Sequence, residues 1–404
     1  MIYQADWLLP MDDAPLLRGW MKVEGGRVVA MGSEAALPPD VEVQQFPGCV
    51  LLPGFINAHC HLELTALKNR IPAGKSFPVW VEELRGLTTG LSSEDYRQSV
   101  KEGISLLLRG GATTVIDVGN TGDALSVLSE SPMRSFALVE TLGLDPSLAE
   151  SRSEHAASLA NQLANTARFR TGVALHAAYS CSRELLVKVN AFQKERKLPV
   201  SIHAAESAEE AELFSSASGS LQKYCRSIFP EAPEHWATSP LRWLEENLLL
   251  QEGALVIHGN HLYERDLEIL LRRKSTVVHC PSSHAFFGHK AFPYAELRQR
   301  GIPVCLGTDS LASGDSLSML DQIRMFRKNF SEVTAQKALR MATTVAARAL
   351  KMPRELGVLG PRYRADFIAV RTKTSPKEDP CEAVLRPDAQ VVFAAIDGCE
   401  ADLK

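Results

Sequence analysis

The sequence predicts an α/β protein: a (β/α)8, TIM-like barrel carrying a small β-domain built from both chain ends. Three observations predict it. Apolar runs ending near residues 56, 118, 140, 176, 203, 258, 279 and 307 alternate with segments of helical composition, the pattern of a parallel barrel. Both ends of the chain instead carry short apolar runs broken by turns. Histidines and acids gather at the C-terminal ends of the predicted barrel strands, where such barrels place their chemistry.

At the start, Trp7-Leu8-Leu9, Trp20-Met21-Lys22-Val23 and Val28-Val29-Ala30-Met31 read as strands, and Gly25-Gly26 between two of them reads as a hairpin. At the end, 365–370 and 389–396 have the same character. Residues 1–50 and 355–404 are therefore expected to form one β-domain, with 51–354 as the barrel, because chain termini often lie close together. The run Leu51-Leu52 reads as the first barrel strand, with Pro53-Gly54 at its irregular end. Ser93 to Leu108 reads as a helix capped by Ser92 or Ser93 and ended by Gly110-Gly111. The next strand is 112–118. Glu206 to Gln251 is too long for one helix. It reads as a helix to about Ser216 and then an insertion rich in Pro, Trp and Ser, either a lid or a decorative loop.

The 404 residues carry a net charge of -4, with 45% hydrophobic and 23% charged residues. That is the composition of a soluble globular protein, and it offers no basic footprint for nucleic acid. No apolar run reaches membrane-spanning length, and Met1–Pro10 lacks the features of a signal peptide. A cytoplasmic location is the default expectation. The eight cysteines are scattered without a Cys-x-x-Cys pair, so reduced, mostly buried thiols are expected rather than a thiolate zinc site.

The chemistry concentrates at strand ends. In His59-Cys60-His61 the two imidazoles sit at i and i+2, on one side of a strand. His176, His203 with Glu206, His258, His279 and Asp309 end the later strands. Any one of them alone would be an ordinary strand-end polar residue. Together they describe a site. His59, His61, His203 and Asp309 make a nitrogen-rich set with one hard oxygen, which suits one Zn²⁺ and is compatible with Fe²⁺ or Mn²⁺. A position left open for water would make it catalytic.

The motifs Pro53-Gly54-Phe55-Ile56-Asn57-Ala58-His59-Cys60-His61, His176-Ala177-Ala178-Tyr179-Ser180, His203-Ala204-Ala205-Glu206, His258-Gly259-Asn260-His261, His279-Cys280-Pro281-Ser282-Ser283 and Gly307-Thr308-Asp309-Ser310 occur in one order along nearly the whole chain. In this the sequence resembles the amidohydrolase superfamily, in its deaminase and chlorohydrolase branch. The resemblance implies one divalent metal on His59, His61, His203 and Asp309. The fourth strand ends Ala174-Leu175-His176, without the lysine that bridges two metals in some relatives, which favours a mononuclear site. It also places His176 near the substrate, as a donor to a ring or ribose group.

By the same resemblance the metal activates a water, Asp309 accepts its proton, and Glu206 protonates a ring nitrogen and then the leaving amine. His258 orients the attacking oxygen. The expected reaction is hydrolytic deamination of an aminated purine nucleoside or related N-heterocycle. Guanine or cytosine deamination, triazine dechlorination and cyclic amide hydrolysis stay open on the same apparatus, and a non-catalytic scaffold is a remote alternative. Candidate substrate contacts are Trp80, as a stacking face or merely the apolar side of its helix with Phe77; Glu140, on a hydroxyl or amine or as a structural carboxylate; His279; and His284. His284 stands where many nucleoside deaminases have Asn, a departure compatible with modified adenine nucleosides such as aminodeoxyfutalosine. His261 reads as structural, and His155 and His235 receive no role. A homodimer remains open.

Overall fold

The structure, a computed structural model, describes residues 1–37, 41–196, 198, 200–231, 238–372 and 378–403. Its strands are β1 (Ile2–Leu8), β2 (Leu16–Leu17), β3 (Trp20–Glu24), β4 (Arg27–Gly32), β5 (Val43–Pro53), β6 (Phe55–Cys60), β7 (Ala112–Gly119), β8 (Arg134–Thr141), β9 (Phe169–Leu175), β10 (Ser201–Ala204), β11 (Leu255–His258), β12 (Thr276–His279), β13 (Val304–Leu306), β14 (Phe367–Arg371), β15 (Gln390–Ile396) and β16 (Cys399–Glu400).

Strands β6 to β9 and β10 to β13 form two parallel four-stranded sheets, each in sequence order. Isolated parallel bridges join them at both seams, Ala177 to His203 and Cys60 to Asp309. The His203 amide donates to the His176 carbonyl at 2.9 Å, and the Thr308 amide to the His59 carbonyl at 3.1 Å. Eight parallel strands thus close on themselves, with helices between them. Every residue of β7 and β8 is buried, which is why these strands read as continuous apolar runs rather than alternating ones.

The chain ends build a second sheet, in the order β16-β15-β14-β5-β1-β3-β4, with β2 beside β1. The hairpin expected at Gly25-Gly26 joins β3 to β4. Leu51 and Leu52 correct the sequence reading: they belong to β5 in this sheet, paired with Ala369 and Ile368 of β14. The chain changes sheets at Pro53-Gly54, and the first barrel strand begins at Phe55. Gly54 is required there, because a Cβ would stand 2.1 Å from Thr113 Oγ1.

The two sheets are tied together by Arg134, at the start of β8. Its guanidinium donates to Asp366 at 2.7 and 3.0 Å, to Asp397 at 2.7 Å and to the Ala167 carbonyl at 2.7 Å. Arg134 is 1% exposed.

The helix Ser93–Arg109 starts on a reciprocal cap. Ser92 Oγ accepts from the Asp95 amide at 3.3 Å, and Asp95 Oδ2 accepts from the Ser92 amide at 2.8 Å, satisfying two otherwise unpaired donors. The helix after Glu206 runs Ala208–Ser216, but the stretch beyond it is no simple loop. It carries the helices Gly219–Ile228 and Pro240–Glu246, and the Cys225 thiol reaches the Tyr179 carbonyl. His155 lies on the helix Ala149–Asn161, and His235 lies outside the described residues. All eight cysteines are free, seven of them buried. Among the described residues no helix is long and apolar enough to cross a membrane.

Candidate metal centre and active site

His59 lies on β6 and His61 one residue past its end, while His203 lies on β10 and Asp309 follows β13. Closure of the barrel brings the four together. His203 Nε2 is 3.2 Å from His59 Nε2 and 3.4 Å from His61 Nε2, and Asp309 Oδ1 is 3.8 Å from Nε2 of both His59 and His61. The Nδ1 of His61 faces the Val118 carbonyl at 2.7 Å, and that of His203 faces the His176 carbonyl at 3.0 Å. A carbonyl only accepts, so both Nδ1 atoms carry the hydrogen and both Nε2 atoms present lone pairs. Those lone pairs point at each other. Burial, the largest influence on each, pushes the pKa values of His59, His61 and His203 down, that of His203 to about 4. Neutral imidazoles with converging lone pairs and one carboxylate oxygen fit a divalent cation of the zinc type, whose ligands must be deprotonated.

The surroundings hold this set still. Asn57 Oδ1 accepts from the Thr308 and His59 amides at 3.1 and 3.3 Å, and Asn57 Nδ2 donates to Thr308 Oγ1 at 2.8 Å. Ser313 Oγ donates to Asp309 Oδ2 at 3.0 Å. Asp309 and His258 have φ of +58° and +72°, left-handed values that cluster at functional sites.

Glu206 is buried, with Oε1 3.4 Å from His258 Nε2. Burial, then the charges of Asp309, Glu210 and Glu140, raise its pKa well above the ordinary value, while burial and then His203 push His258 down. A buried carboxyl that holds its proton more tightly than usual, next to an imidazole that takes one up less readily, is suited to giving and taking a proton. The turn that carries it is pinned from both sides. The Ala205 carbonyl, on a residue with φ of +55°, accepts from the Asn260 and His261 amides at 2.8 and 2.9 Å, and Asn260 Nδ2 donates to the Glu206 carbonyl at 3.0 Å. Glu210 Oε2 accepts from the Glu206 amide at 2.7 Å.

The sequence reading missed Glu210. The signal was there, since Ser207 and Glu210 have the Ser-x-x-Glu spacing of a helix cap. Ser207 does cap the helix, accepting from the Glu210 amide at 3.1 Å, but the Glu210 carboxylate reaches one residue further back.

His176 is half-buried, its ring 5.0 Å from that of His203 and its Nδ1 2.6 Å from Ser180 Oγ. Glu140 Oε1 lies 3.8 Å from His203 Nδ1. It forms an acidic wall behind the ligands with Glu63 and Asp117. Burial first, and for Glu140 then the charge of Glu63, pushes Glu140 and Asp117 up to about 8. Trp80, His279 and His284 stand farther out. Trp80 donates from Nε1 to the Ala312 carbonyl at 3.0 Å and stacks on Phe77 with centroids 6.0 Å apart. That is the apolar-face arrangement rather than an open stacking platform. His279 stacks on Phe292 at 3.9 Å. His284 Nε2 meets the Lys290 carbonyl at 2.9 Å, and its ring lies 5.2 Å from that of His279. Among the described residues these three rings make no contact with those of His59, His61 or His203.

Residues 50–400 match the model of the amidohydrolase family. Over 364 residues, covering 87% of this chain and 80% of the relative, the sequence is 27% identical to a 5-methylthioadenosine/S-adenosylhomocysteine deaminase of Desulfitobacterium hafniense. The fold superposes with a TM-score of 0.88 and 24% identity on the aminofutalosine deaminase of Helicobacter pylori in complex with methylthio-coformycin, covering 99% of this chain and 100% of that one. An adenosine deaminase of Xanthomonas campestris with bound zinc gives a TM-score of 0.83 at 22% identity, covering 99% and 92%. The eight-stranded barrel, the sheet from both termini and the match over most of the length agree: this chain belongs to the amidohydrolase family.

Proposed function

We propose that the chain is a metal-dependent aminohydrolase that removes the amine of a purine nucleoside or related N-heterocycle as ammonia. The observation that carries this reading is the placing of Glu206, a buried carboxyl 3.4 Å from His258 beside four converging side chains that could hold a metal. The relatives support the nucleoside class: one is named for 5-methylthioadenosine and S-adenosylhomocysteine, another binds methylthio-coformycin.

In this reading His59, His61, His203 and Asp309 hold one divalent ion, zinc first, with iron or manganese as alternatives. A bound divalent ion supplies a water that ionises near neutral pH. The protein's own groups do the rest. Asp309, fixed by Ser313, takes the proton of the attacking water. Glu206 gives its proton to a ring nitrogen, which makes the amine-bearing carbon electrophilic, and a proton then passes to the departing amine. His258, 3.4 Å from Glu206, orients the attacking oxygen and helps to hold Glu206 in place. His176 faces the substrate side, Glu140 stands behind His203 rather than against the substrate, and Trp80, His279 and His284 shape the outer walls. The reading extends to a small-molecule substrate only, a cytoplasmic site of action and a homodimer.

The direct test is ammonia release by the metal-loaded protein across purines, nucleosides, pyrimidines and pterins. Release from an aminopurine nucleoside is expected. Silence across the whole panel, with about one metal per chain bound, would overturn the reading in favour of dechlorination or amide hydrolysis.

A further inference from the structure

We infer that His261, His284 and His289 form a second metal site, distinct from the His59 centre: a weaker site for a divalent cation of the zinc, nickel or copper class in the outer wall of the barrel mouth.

The three histidines come from neighbouring strand ends. His261 lies three residues past the end of β11, His284 lies on the helix Pro281–Phe287 that follows β12, and His289 lies two residues beyond that helix. β11 and β12 are paired. The His261 and His289 rings are 5.4 Å apart, and those of His284 and His289 are 5.5 Å apart. The three histidine rings at the His59 centre stand 4.7, 4.8 and 5.5 Å apart. The outer trio therefore has the spacing of imidazoles able to share an ion. His289 packs on Phe287 at 5.5 Å, and Phe287 on Trp80 at 5.1 Å, which sets the trio in the same wall as Trp80.

The second observation is a pair of orphaned nitrogens. Nε2 of His261 and Nε2 of His289 are both buried, with no hydrogen-bond partner among the described residues. A buried polar atom without a partner is costly, and one ion between the two nitrogens would partner both. His284 gives a hydrogen from Nε2 to the Lys290 carbonyl at 2.9 Å, the backing through the second ring nitrogen that metal-bound imidazoles use. Burial pushes all three rings below the ordinary 6.5, His289 to about 3. At neutral pH each is uncharged and keeps one lone pair, as a ligand must. Of the formal charges that act on His261, Glu209 favours a cation and outweighs Lys290, which opposes it.

His261 and His289 take the ion first. The nitrogens of all three do not converge as tightly as those at the His59 centre, so His284 completes the set by turning its ring. That reorganisation makes this the weaker site.

The test is equilibrium dialysis of the metal-loaded full chain against rising zinc, read by elemental analysis. About one equivalent per chain is expected at low zinc and about two at high zinc. His289→Ala and His261→Ala should each lose the second equivalent and keep the first, and His59→Ala should do the reverse. His155→Ala, which removes an exposed histidine on the helix Ala149–Asn161, should keep both. A zinc-edge anomalous map of crystals soaked in excess zinc should place the second ion against the three rings. Saturation at one equivalent, a second equivalent that survives both His289→Ala and His261→Ala, or an ion placed elsewhere overturns the proposal. Metal binding is read without turnover, so a failure of the deaminase reading leaves this result untouched.

Discussion

At the scale of single residues, the division of labour around Glu206 can be taken apart. Glu206→Gln keeps the shape of the side chain but has no proton to transfer. It should retain its metal by elemental analysis and lose about 10²–10⁴-fold in kcat, the usual worth of a positioned acid; full turnover would remove Glu206 from the chemistry. Glu210→Ala leaves the buried Glu206 amide without its 2.7 Å acceptor. Loss of such a partner destabilises by about 1–3 kcal/mol, read by denaturant titration, and should lower kcat. Glu210→Gln, which keeps an oxygen there, should recover most of both. The gathering of His59, His61, His203 and Asp309, with Glu206 beside His258, was legible because such chemistry needs particular residue types at particular strand ends. Glu210 was not, since a carboxylate near a helix start is ordinary until the turn before it is seen to be strained. Trp80 stayed open for a related reason: an indole suits a stacking platform and a helix core equally, and it takes the bond to Ala312 to favour the second.

At the scale of elements, the closing seam between β6 and β13 sets the geometry of the proposed metal ligands. Gly307 packs directly on it: a Cβ there would meet the His59 carbonyl oxygen at 2.9 Å and the His59 Cβ at 3.1 Å. Gly307→Ala should therefore push His59 off its line and weaken metal binding about 10–100-fold, the range seen when support behind a ligand is lost, as measured by competition with a chelator. Unchanged affinity would show that the seam can give way without moving the ligand. The eight barrel strands were legible from their apolar runs, because parallel strands are covered on both faces. The handover at Pro53-Gly54 was not. Leu51-Leu52 and Phe55-Ile56 are equally apolar, and nothing local says that one pair faces the terminal sheet and the other the barrel.

At the scale of the whole molecule, burial of so many titratable groups sets the response to pH. Asp117 and Glu140, with ordinary values of 3.8 and 4.5, are both pushed up to about 8. The folded state therefore holds protons that the unfolded state has released, and stability falls as pH climbs from the ordinary values toward 8. The depressed histidines act with the opposite sign, but only below about 6.5, where the unfolded chain takes up protons. Between pH 6.5 and 8 the carboxylates act alone. Metal-free protein should lose urea resistance across that window, and bound metal should flatten the slope. A midpoint that rises with pH in the metal-free protein would contradict this.

The Arg134 cluster acts at the same scale. Asp366→Asn leaves a guanidinium that is 2% exposed with only Asp397 as its anion, and should destabilise by about 3 kcal/mol by calorimetry. Activity per folded molecule should stay unchanged, because Arg134 starts β8, at the end away from the histidine cluster.

The pairing of β5 with β14 has a consequence for the order of events at the ribosome. One edge of β5 is an open template from the moment it emerges, and its partner is made more than three hundred residues later. The barrel seam waits as well, because β6 needs β13. Neither sheet can be completed while the chain is still short, so the nascent protein carries an unpaired apolar edge through most of its synthesis, the kind of surface on which chains associate wrongly. Slowing translation should therefore help this protein little, whereas a chaperone that shields β5 until β14 arrives should raise its yield.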